Sequence, residues 1–523
     1  MGLYLNPGND LFRQAVKSRI YVDKTMLINE VNAVIDTSDK HICISRPRRF
    51  GKSMTANMLA AYYSRGCDSK DLFKDFAVFK TEDFEKHLNK YNVFQIDVRG
   101  FASKSSGGKE MTDKLEKALR RDIKEDFHDL NIDDDYETYE MLRIVYGKYK
   151  IPFVFIIDEW DCVFRVFRND ISGQKYYLDF LRDLLKEKEY VALDYATGIF
   201  PIKKYGEHSA LNMYREYTMT NQKRFSQYTG FTVEDVKVLC EDNTELSEEL
   251  KIWYDGYKVN KYDIYNPQSV VQAITENSFD NYWTKTESFE ALKVFMQADM
   301  DGLRQCIIKM ISGEKVRVNT ETFQNDMITF SSADDVITLL IHLGYLTYDK
   351  ETNEAWIPNK EVHQEFINCI KDGGWEEVMN SIRKSEELLL ATINQNEEKV
   401  AEIIEEIHRQ NSSIIAYNNE LSLSVTLALA YYSARKQYEI IREFPSGEGF
   451  ADLAFIPRRG VNLPAIVAEL KYDKNAEGAI AQIKKRKYTE KLQAFSGEIL
   501  LVAINYDLKN KKHECKIEKV LKQ

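Results

Sequence analysis

Short apolar runs alternate with longer stretches of helical periodicity over residues 1–225. HICIS (His41–Ser45), YNVFQIDV (Tyr91–Val98), PFVFIID (Pro152–Asp158) and VALDYATGI (Val191–Ile199) are rich in β-branched residues and bounded by turn or charge signals, and they predict strands. Between them, Met54–Tyr63, Thr112–Phe127 and Lys175–Glu189 carry the spacing of amphipathic helices. Strands that alternate with helices predict a mostly parallel sheet covered on both faces.

The pattern changes at residue 226. Helical spacing dominates up to residue 375, for example over Val233–Leu239 and Phe289–Met296. The apolar helix Ala333–Leu343 stops at Gly344 and is followed by YLTYD and AWIPN, a helix–strand–turn–strand order like that of a winged helix. Residues 376–410 are charged and helical, with Leu388, Ile393, Val400 and Ile404 recurring at roughly helical spacing. A second α/β unit follows. It has a helix over Asn419–Ala434, strands at YEIIREF, GFADLAFIP and PAIVAELK, a helix over Ala476–Leu492 and a strand at EILLVAINY.

Composition adds few constraints. The 523 residues suggest about three domains. There is no apolar run long enough to span a bilayer and no basic-then-apolar leader, so the expectation is a cytoplasmic protein with no membrane partner. Seven scattered cysteines form no C-x-x-C pair, and eight histidines lack metal-ligand spacing, so buried thiols and no zinc are expected. Net charge is -11, but residues 411–523 carry +5, leaving -16 for the first 410. That excess lies in IKKRKYTEK (Ile483–Lys491) and in the tail KNKKHECKIEKVLK, which reads as a solvated basic face.

Two constellations carry chemistry. In SRPRRFGKSM, an apolar strand ends in a basic turn, then Gly51-Lys52-Ser53, then a helix beginning at Met54. Such a loop aims backbone N–H groups at phosphates, while Lys reaches the terminal phosphates and Ser holds magnesium. The usual first glycine is Arg46 here. Arg49, Gly51, Lys52, Ser53 and Met54 are the candidate nucleotide contacts of this loop. Downstream, the strand PFVFIID ends in Asp158-Glu159. Asp158 suits the magnesium-holding carboxylate, together with Ser53, and Glu159 suits the group that orients the attacking water. The second constellation is Asp452 in GFADLAF with Glu469 and Lys471 in VAELK. Residues two apart on a strand face one way, so Glu469 and Lys471 project together, with Asp452 on a neighbouring strand. Two hard carboxylates suit magnesium, and the Lys suits phosphate charge.

The chain resembles the bacterial proteins that join a predicted AAA-ATPase-like domain to a PD-(D/E)XK nuclease domain. The resemblance is carried by YVDKTMLI (Tyr21–Ile28), SRPRRFGKSMTANMLAAYYS, FIIDEWD, TGIFPIKKYGEHSALNMYREYT (Thr197–Thr218), GFTVEDVKVLC, WYDGY (Trp253–Tyr257) and YNPQSVV (Tyr265–Val271), and it resumes in the C-terminal unit. In that family the loop reads RPRRFGKS, so Arg46 is the family form. The resemblance implies ATP and magnesium as cofactors and places Thr197 and Lys204 near the γ-phosphate. It maps Asp452, Glu469 and Lys471 onto the nuclease signature, Glu420 onto the acidic residue of the first helix, and Gln482 and Tyr488 onto the later helix. Lys484, Lys485, Arg486 and Lys487 then become candidate phosphate contacts with nucleic acid, DNA by family analogy. The family's Pro-Asp is Ala451-Asp452 here, and its Gly-Arg is Gly449-Phe450.

The expected fold class is α/β. A P-loop parallel-sheet NTPase domain spans 1–225, a mostly helical, winged-helix-like lid region spans 226–375, and a restriction-endonuclease-like domain with a helical connector spans 376–523. The expected function is an ATPase coupled to a metal-dependent nuclease. The alternative is a nucleotide-dependent switch or STAND-like scaffold, in one form a homo-oligomer, whose nuclease fold binds without cutting. WYDGY and YNPQS are expected to be lid architecture.

Overall fold

The computed structural model describes residues 3–202, 211–221, 224–241, 243–283, 302–323, 330, 332–372, 375–411, 420–446, 449–472, 476, 480 and 497–520. Two compact units emerge: Met1–Ser288 with Arg317–Gln364, and Phe289–Val316 with Glu365–Gln523. Residues 226–375 are therefore divided between the two units.

The first unit is built on five strands: β1 (His41–Ser45), β2 (Asn92–Asp97), β3 (Phe153–Asp158), β4 (Val191–Gly198) and β5 (Arg215–Tyr217). Their order is β2-β3-β4-β1-β5, and every pair is parallel. Alternation along β3 explains the layering. Phe153, Phe155 and Ile157 pack with the helices Gly108–Asp126, Thr138–Tyr149 and Ile171–Leu185, while Val154 and Ile156 pack with Ile42, Ile44 and the helix Lys52–Tyr63. A strand buried on both faces reads as an unbroken apolar run, as PFVFIID does. The four strands expected here are present, while the short β5 had no strong signal.

In the same unit, Ala333–Leu343 forms a helix capped at Gly344, followed by the antiparallel strands Thr347–Asp349 and Glu354–Trp356, so the helix–strand–turn–strand order is present. Phe289–Met296 lies outside the described residues.

The second unit carries the sheet Tyr438–Ser446, Gly449–Pro457, Ala465–Tyr472, Ile499–Asp507 and Lys512–Val520, in that order. The pair between the third and fourth strands is parallel, and the others are antiparallel. The helices Glu376–Ile393, Glu397–Asn411 and Glu420–Ala430 cover one face through Leu388, Val400, Ile404 and Leu427, packed on Ile466, Ala468 and Leu470. The basic tail departs from the expectation of a solvated face: it is an edge strand with His513, Cys515 and Ile517 buried in alternation. Its lysines hid that period-two signal, which edge strands use to stay soluble. All seven cysteines are free, and no helix among the described residues is long and apolar enough to cross a membrane.

Gly344 joins the lid to the loop of the first constellation. Its φ is 90°, and a Cβ there would come within 2.6 Å of the Pro47 Cβ and 3.3 Å of Trp283. Left-handed strain costs about 1–3 kcal/mol and overpacking about as much again. Gly344→Val is therefore expected to lower stability by roughly 2 kcal/mol or more. Urea unfolding followed by tryptophan fluorescence measures it, and an unchanged midpoint would show that this contact is not made.

Candidate functional site

The GKS loop turns at Arg49 and Gly51, whose φ values are 69° and 85°. The helix begins at Lys52, two residues earlier than its periodicity suggested. Position 46 is not among the residues with positive φ, so the loop's backbone does not require glycine there. The Arg46 side chain is instead fully buried, donating from Nη1 to the carbonyls of Ser45 (2.8 Å) and Tyr217 (3.0 Å). Burial lowers its pKa to about 10, and its Nε and Nη2 take no acceptor among the described residues. Beside it lies the buried His342 of the lid helix, pushed down to about 3 by burial and by the Arg46 charge.

Lys52 folds back over its own loop. Its ammonium donates to the carbonyls of Arg46 (3.0 Å) and Pro47 (2.9 Å). Burial pulls its pKa down, and the Glu159 and Asp158 carboxylates pull it partly back. β4 lies between β1 and β3, which puts Thr197 opposite Ile44 and close to the acidic strand end. The Thr197 hydroxyl donates to Asp158 Oδ1, which also accepts the Glu159 N–H at 3.0 Å. Glu159 has a left-handed backbone, φ 55°. Burial raises its carboxyl, but Lys52, Arg165 and Arg48 outweigh burial and hold it below its ordinary value.

These groups border a cavity of about 980 Å³, at the upper end of the usual range for ligand pockets, about 300–1,000 Å³. Arg49, Gly51, Lys52, Ser53, Met54 and Glu159 all line it, whereas Asp158 and Thr197 do not. Lys204 lies outside the described residues. The lining carries six cations (Lys24, Arg48, Arg49, Lys52, Arg99 and Arg165) and one carboxylate, Glu159. Tyr21, Val22, Tyr228, Pro267 and Val271 supply the apolar wall. The wall combines cationic and apolar side chains, the two kinds of group that a phosphate chain and a base would meet. Ser53 and Asp158 are hard oxygen donors of the kind magnesium takes.

The basic turn is also where residues 230, 282 and 283 of the same unit attach. Arg49 donates to the Tyr282 carbonyl (3.0 Å), the Trp283 indole to the Arg48 carbonyl (3.4 Å) and the Gly230 N–H to the Phe50 carbonyl (2.9 Å). WYDGY and YNPQS belong to this attachment. Tyr257 stacks edge-on against Phe50 at 5.1 Å and donates to the Gly344 carbonyl at 2.9 Å. Asn266 caps the helix Pro267–Glu276 by accepting from the Gln268 and Ser269 N–H groups. Glu361, 1% exposed, ties these pieces together by accepting from the Tyr282 and Trp283 N–H groups (2.8 Å each) and from the Ser269 hydroxyl (3.0 Å). Nothing in NKEVHQEF singled out Glu361. Asp161 and Arg165, by contrast, had a legible signal: they stand four apart just after the acidic strand end.

In the second unit, Asp452 accepts the Leu470 N–H at 2.6 Å, and Lys471 donates to Glu469 at 2.8 Å. Asp452, Glu469 and Lys471 are thus brought together across two adjacent strands, with Glu469 2% exposed. Two carboxylates and an ammonium are a donor set that fits a hard divalent cation and a phosphate. Asn505, 1% exposed, pairs with Lys471 in the sheet and shares its face, a neighbour the sequence reading missed. Among the described residues no group of three or more His, Cys, Asp or Glu side chains that could hold a metal forms. The Glu420 side chain is not described, and Gln482, Lys484, Lys485, Arg486, Lys487 and Tyr488 lie outside the described residues.

Residues 10–206 match the family model described as predicted AAA-ATPase, and residues 424–516 match that of the PD-(D/E)XK nuclease superfamily. An uncharacterized protein in the vnfD 5' region of Azotobacter chroococcum mcd 1 is 24% identical over 277 residues, 51% of this chain and 50% of that protein. The chain thus spans about half the length of this curated relative. Among solved structures, the Aeropyrum pernix ORC2 protein in ADPNP–ADP complexes aligns over 71% of this chain and 99% of its own, with 10% identity and a TM-score of 0.30. A STAND protein with a tetratricopeptide repeat sensor from Pyrococcus horikoshii aligns over 80% of this chain and 53% of its own, with 12% identity and a TM-score of 0.24. The chain joins a domain of the predicted AAA-ATPase family to a C-terminal domain of the PD-(D/E)XK nuclease superfamily.

Proposed function

We propose that this is a cytoplasmic protein whose first unit binds and hydrolyses ATP, and whose C-terminal domain hydrolyses phosphodiester bonds in nucleic acid, DNA before RNA. The observation that carries the reading is the buried Lys52 ammonium, held by its own loop's carbonyls beside Glu159 at a cavity lined with cations. In the first site, Ser53 and Asp158 would hold magnesium, with the Thr197 hydroxyl positioning Asp158, and Lys204 would contact the terminal phosphate. Glu159 orients a water and takes its proton. The water oxygen bonds to the γ-phosphorus, and the bond to the β–γ bridging oxygen breaks, leaving ADP with that electron pair. In the second site, Asp452 and Glu469, with Glu420, hold magnesium. Lys471 faces the phosphate as a water oxygen bonds to phosphorus; the P–O bond to one ester oxygen breaks, that oxygen leaves with the electron pair, and the proton lost by the water reaches it through solvent. Gln482, Lys484, Lys485, Arg486, Lys487 and Tyr488 hold the strand. Magnesium, when bound, supplies charge neutralisation and a more acidic water at both sites.

A second reading has its own support. Phe450 stands where the family carries Arg, which removes one phosphate contact. The C-terminal domain then binds nucleic acid or a partner without cutting, and ATP drives assembly of several copies. An ATP-dependent shift in sedimentation that is lost in Lys52→Ala, with no cleavage by the wild type, is its signature.

Lys52→Ala is expected to weaken ATP binding roughly 10- to 100-fold, the worth of a lost charge-assisted contact of about 1.5–3 kcal/mol. Titration with a fluorescent ATP analogue measures it, and wild-type affinity in the variant would end the nucleotide reading. Glu159→Gln should keep ATP binding and slow turnover by about 100-fold or more, as removal of a general base does. Phosphate release reports it, and unchanged turnover would take Glu159 out of the reaction. For the second site, plasmid and single-stranded DNA are incubated with magnesium or manganese. Wild type should cut and Asp452→Ala should not, and equal cutting by both would refute the nuclease assignment.

A further inference from the structure

Arg165, a cation of the cavity wall, already holds the reaction's candidate base. It stands on the short helix Cys162–Val166, directly after the acidic turn. Its Nε donates to Asp161 Oδ2 at 3.2 Å, and its Nη2 donates both to Asp161 Oδ1 at 3.4 Å and to Glu159 Oε2. Asp161 is fully buried and rigidly held, since its Oδ2 also accepts the Ile199 N–H (3.1 Å) and the Phe200 N–H (3.0 Å) just beyond β4. One edge of the guanidinium is therefore clamped to the scaffold. Nη2 is shared between Asp161 and Glu159, and the side chain borders the same cavity as Lys52 and Ser53. Its Nη1 donates to no acceptor among the described residues.

This arrangement has a chemical consequence. A carboxylate oxygen committed to a guanidinium is a poor acceptor for a water proton, so Glu159 as it stands is a restrained base. A terminal phosphate offers the guanidinium more negative charge and oxygens spaced for its fork. It also arrives in a partly buried site, where charge counts for more than in water. ADP lacks that group and would leave the Arg165–Glu159 pair intact.

We propose that Arg165 contacts the terminal phosphate of bound ATP in cis, and that this contact releases Glu159 to the attacking water. Arg165 then both senses the third phosphate and neutralises the charge that builds on it. The proposal rests on the nucleotide reading above.

The test is the discrimination between tri- and diphosphate. Wild type, Arg165→Ala, Arg165→Lys and Lys52→Ala are titrated with fluorescent ADP and with the fluorescent β,γ-imido analogue of ATP, and turnover is measured with ATP. Arg165→Ala is expected to bind ADP within about twofold of wild type, to lose about tenfold in affinity for the triphosphate, and to turn over about 1,000-fold slower, the lower end of what a transition-state arginine contributes. Arg165→Lys keeps the charge without the fork and should recover part of both losses. Lys52→Ala should lose ADP and triphosphate together. An unchanged triphosphate-to-diphosphate ratio in Arg165→Ala, or an equal loss of both, would overturn the proposal and leave ATP binding standing. If circular dichroism shows that Arg165→Ala is unfolded, Arg165→Lys decides by the same ratio. A wild type that binds neither nucleotide overturns the nucleotide reading and this inference with it.

Discussion

A buried ammonium organises the first unit. Lys52 has left water, and an unpaired charge in that position would cost several kcal/mol. It is compensated by two carbonyls of its own loop and by the acidic end of β3. To offer those carbonyls, the chain from Arg46 to Gly51 must curl around the amine, with Arg49 and Gly51 in left-handed conformations. The same curl leaves the first turn of the Lys52–Tyr63 helix open to the cavity. The strand order does the rest. β4 lies between the loop strand and the acidic strand, so its end supplies Thr197 to Asp158 and the Ile199 and Phe200 N–H groups to Asp161.

The loop's unusual composition follows from what surrounds it. A glycine at position 46 would satisfy the backbone equally well, because Arg46 is not left-handed. What the arginine adds is a buried guanidinium wedged between β1, β5 and the lid helix, beside a histidine that burial keeps neutral. Pro47, Arg48, Arg49 and Phe50 each meet a different part of the lid: Gly344, Trp283, Tyr282 and Gly230. A turn built this way is also a joint between the loop and later segments of the same unit. A shift of the loop on ligand binding would be felt by every lid segment that Glu361 gathers. Close-packed contacts of this kind transmit a displacement better than loose ones.

The C-terminal sheet reaches its chemistry by a different route. Its acids are not arranged by a loop but by register. The pairing of Leu453 with Ala468 sets Asp452 next to the Glu469–Lys471 segment, and the pairing of Lys471 with Asn505 adds a buried amide to the same face. A one-residue slip would turn Glu469 and Lys471 to the face packed by the connector helices, so the apolar alternation that fixes the register also fixes the site.

The sequence by itself determined β1–β4 and the helices that cover them, the loop–helix junction at Gly51-Lys52, the acidic strand end at Asp158-Glu159 and the E-x-K pair, because each is written in local periodicity or in residues within a few positions of one another. It also carried two signals that went unread: the four-residue spacing of Asp161 and Arg165, and the alternating His513, Cys515 and Ile517 beneath the lysines of the last strand. Only the tertiary structure decided that Arg46 is buried rather than facing phosphate. It alone recruited Glu361 to the lid, brought Asp452 to Leu470 across two strands and set Arg165 against Glu159. Those outcomes depend on where a side chain finds a partner after the chain has folded. A partner more than a hundred residues away, as Tyr217 is for Arg46, leaves no trace in the local pattern.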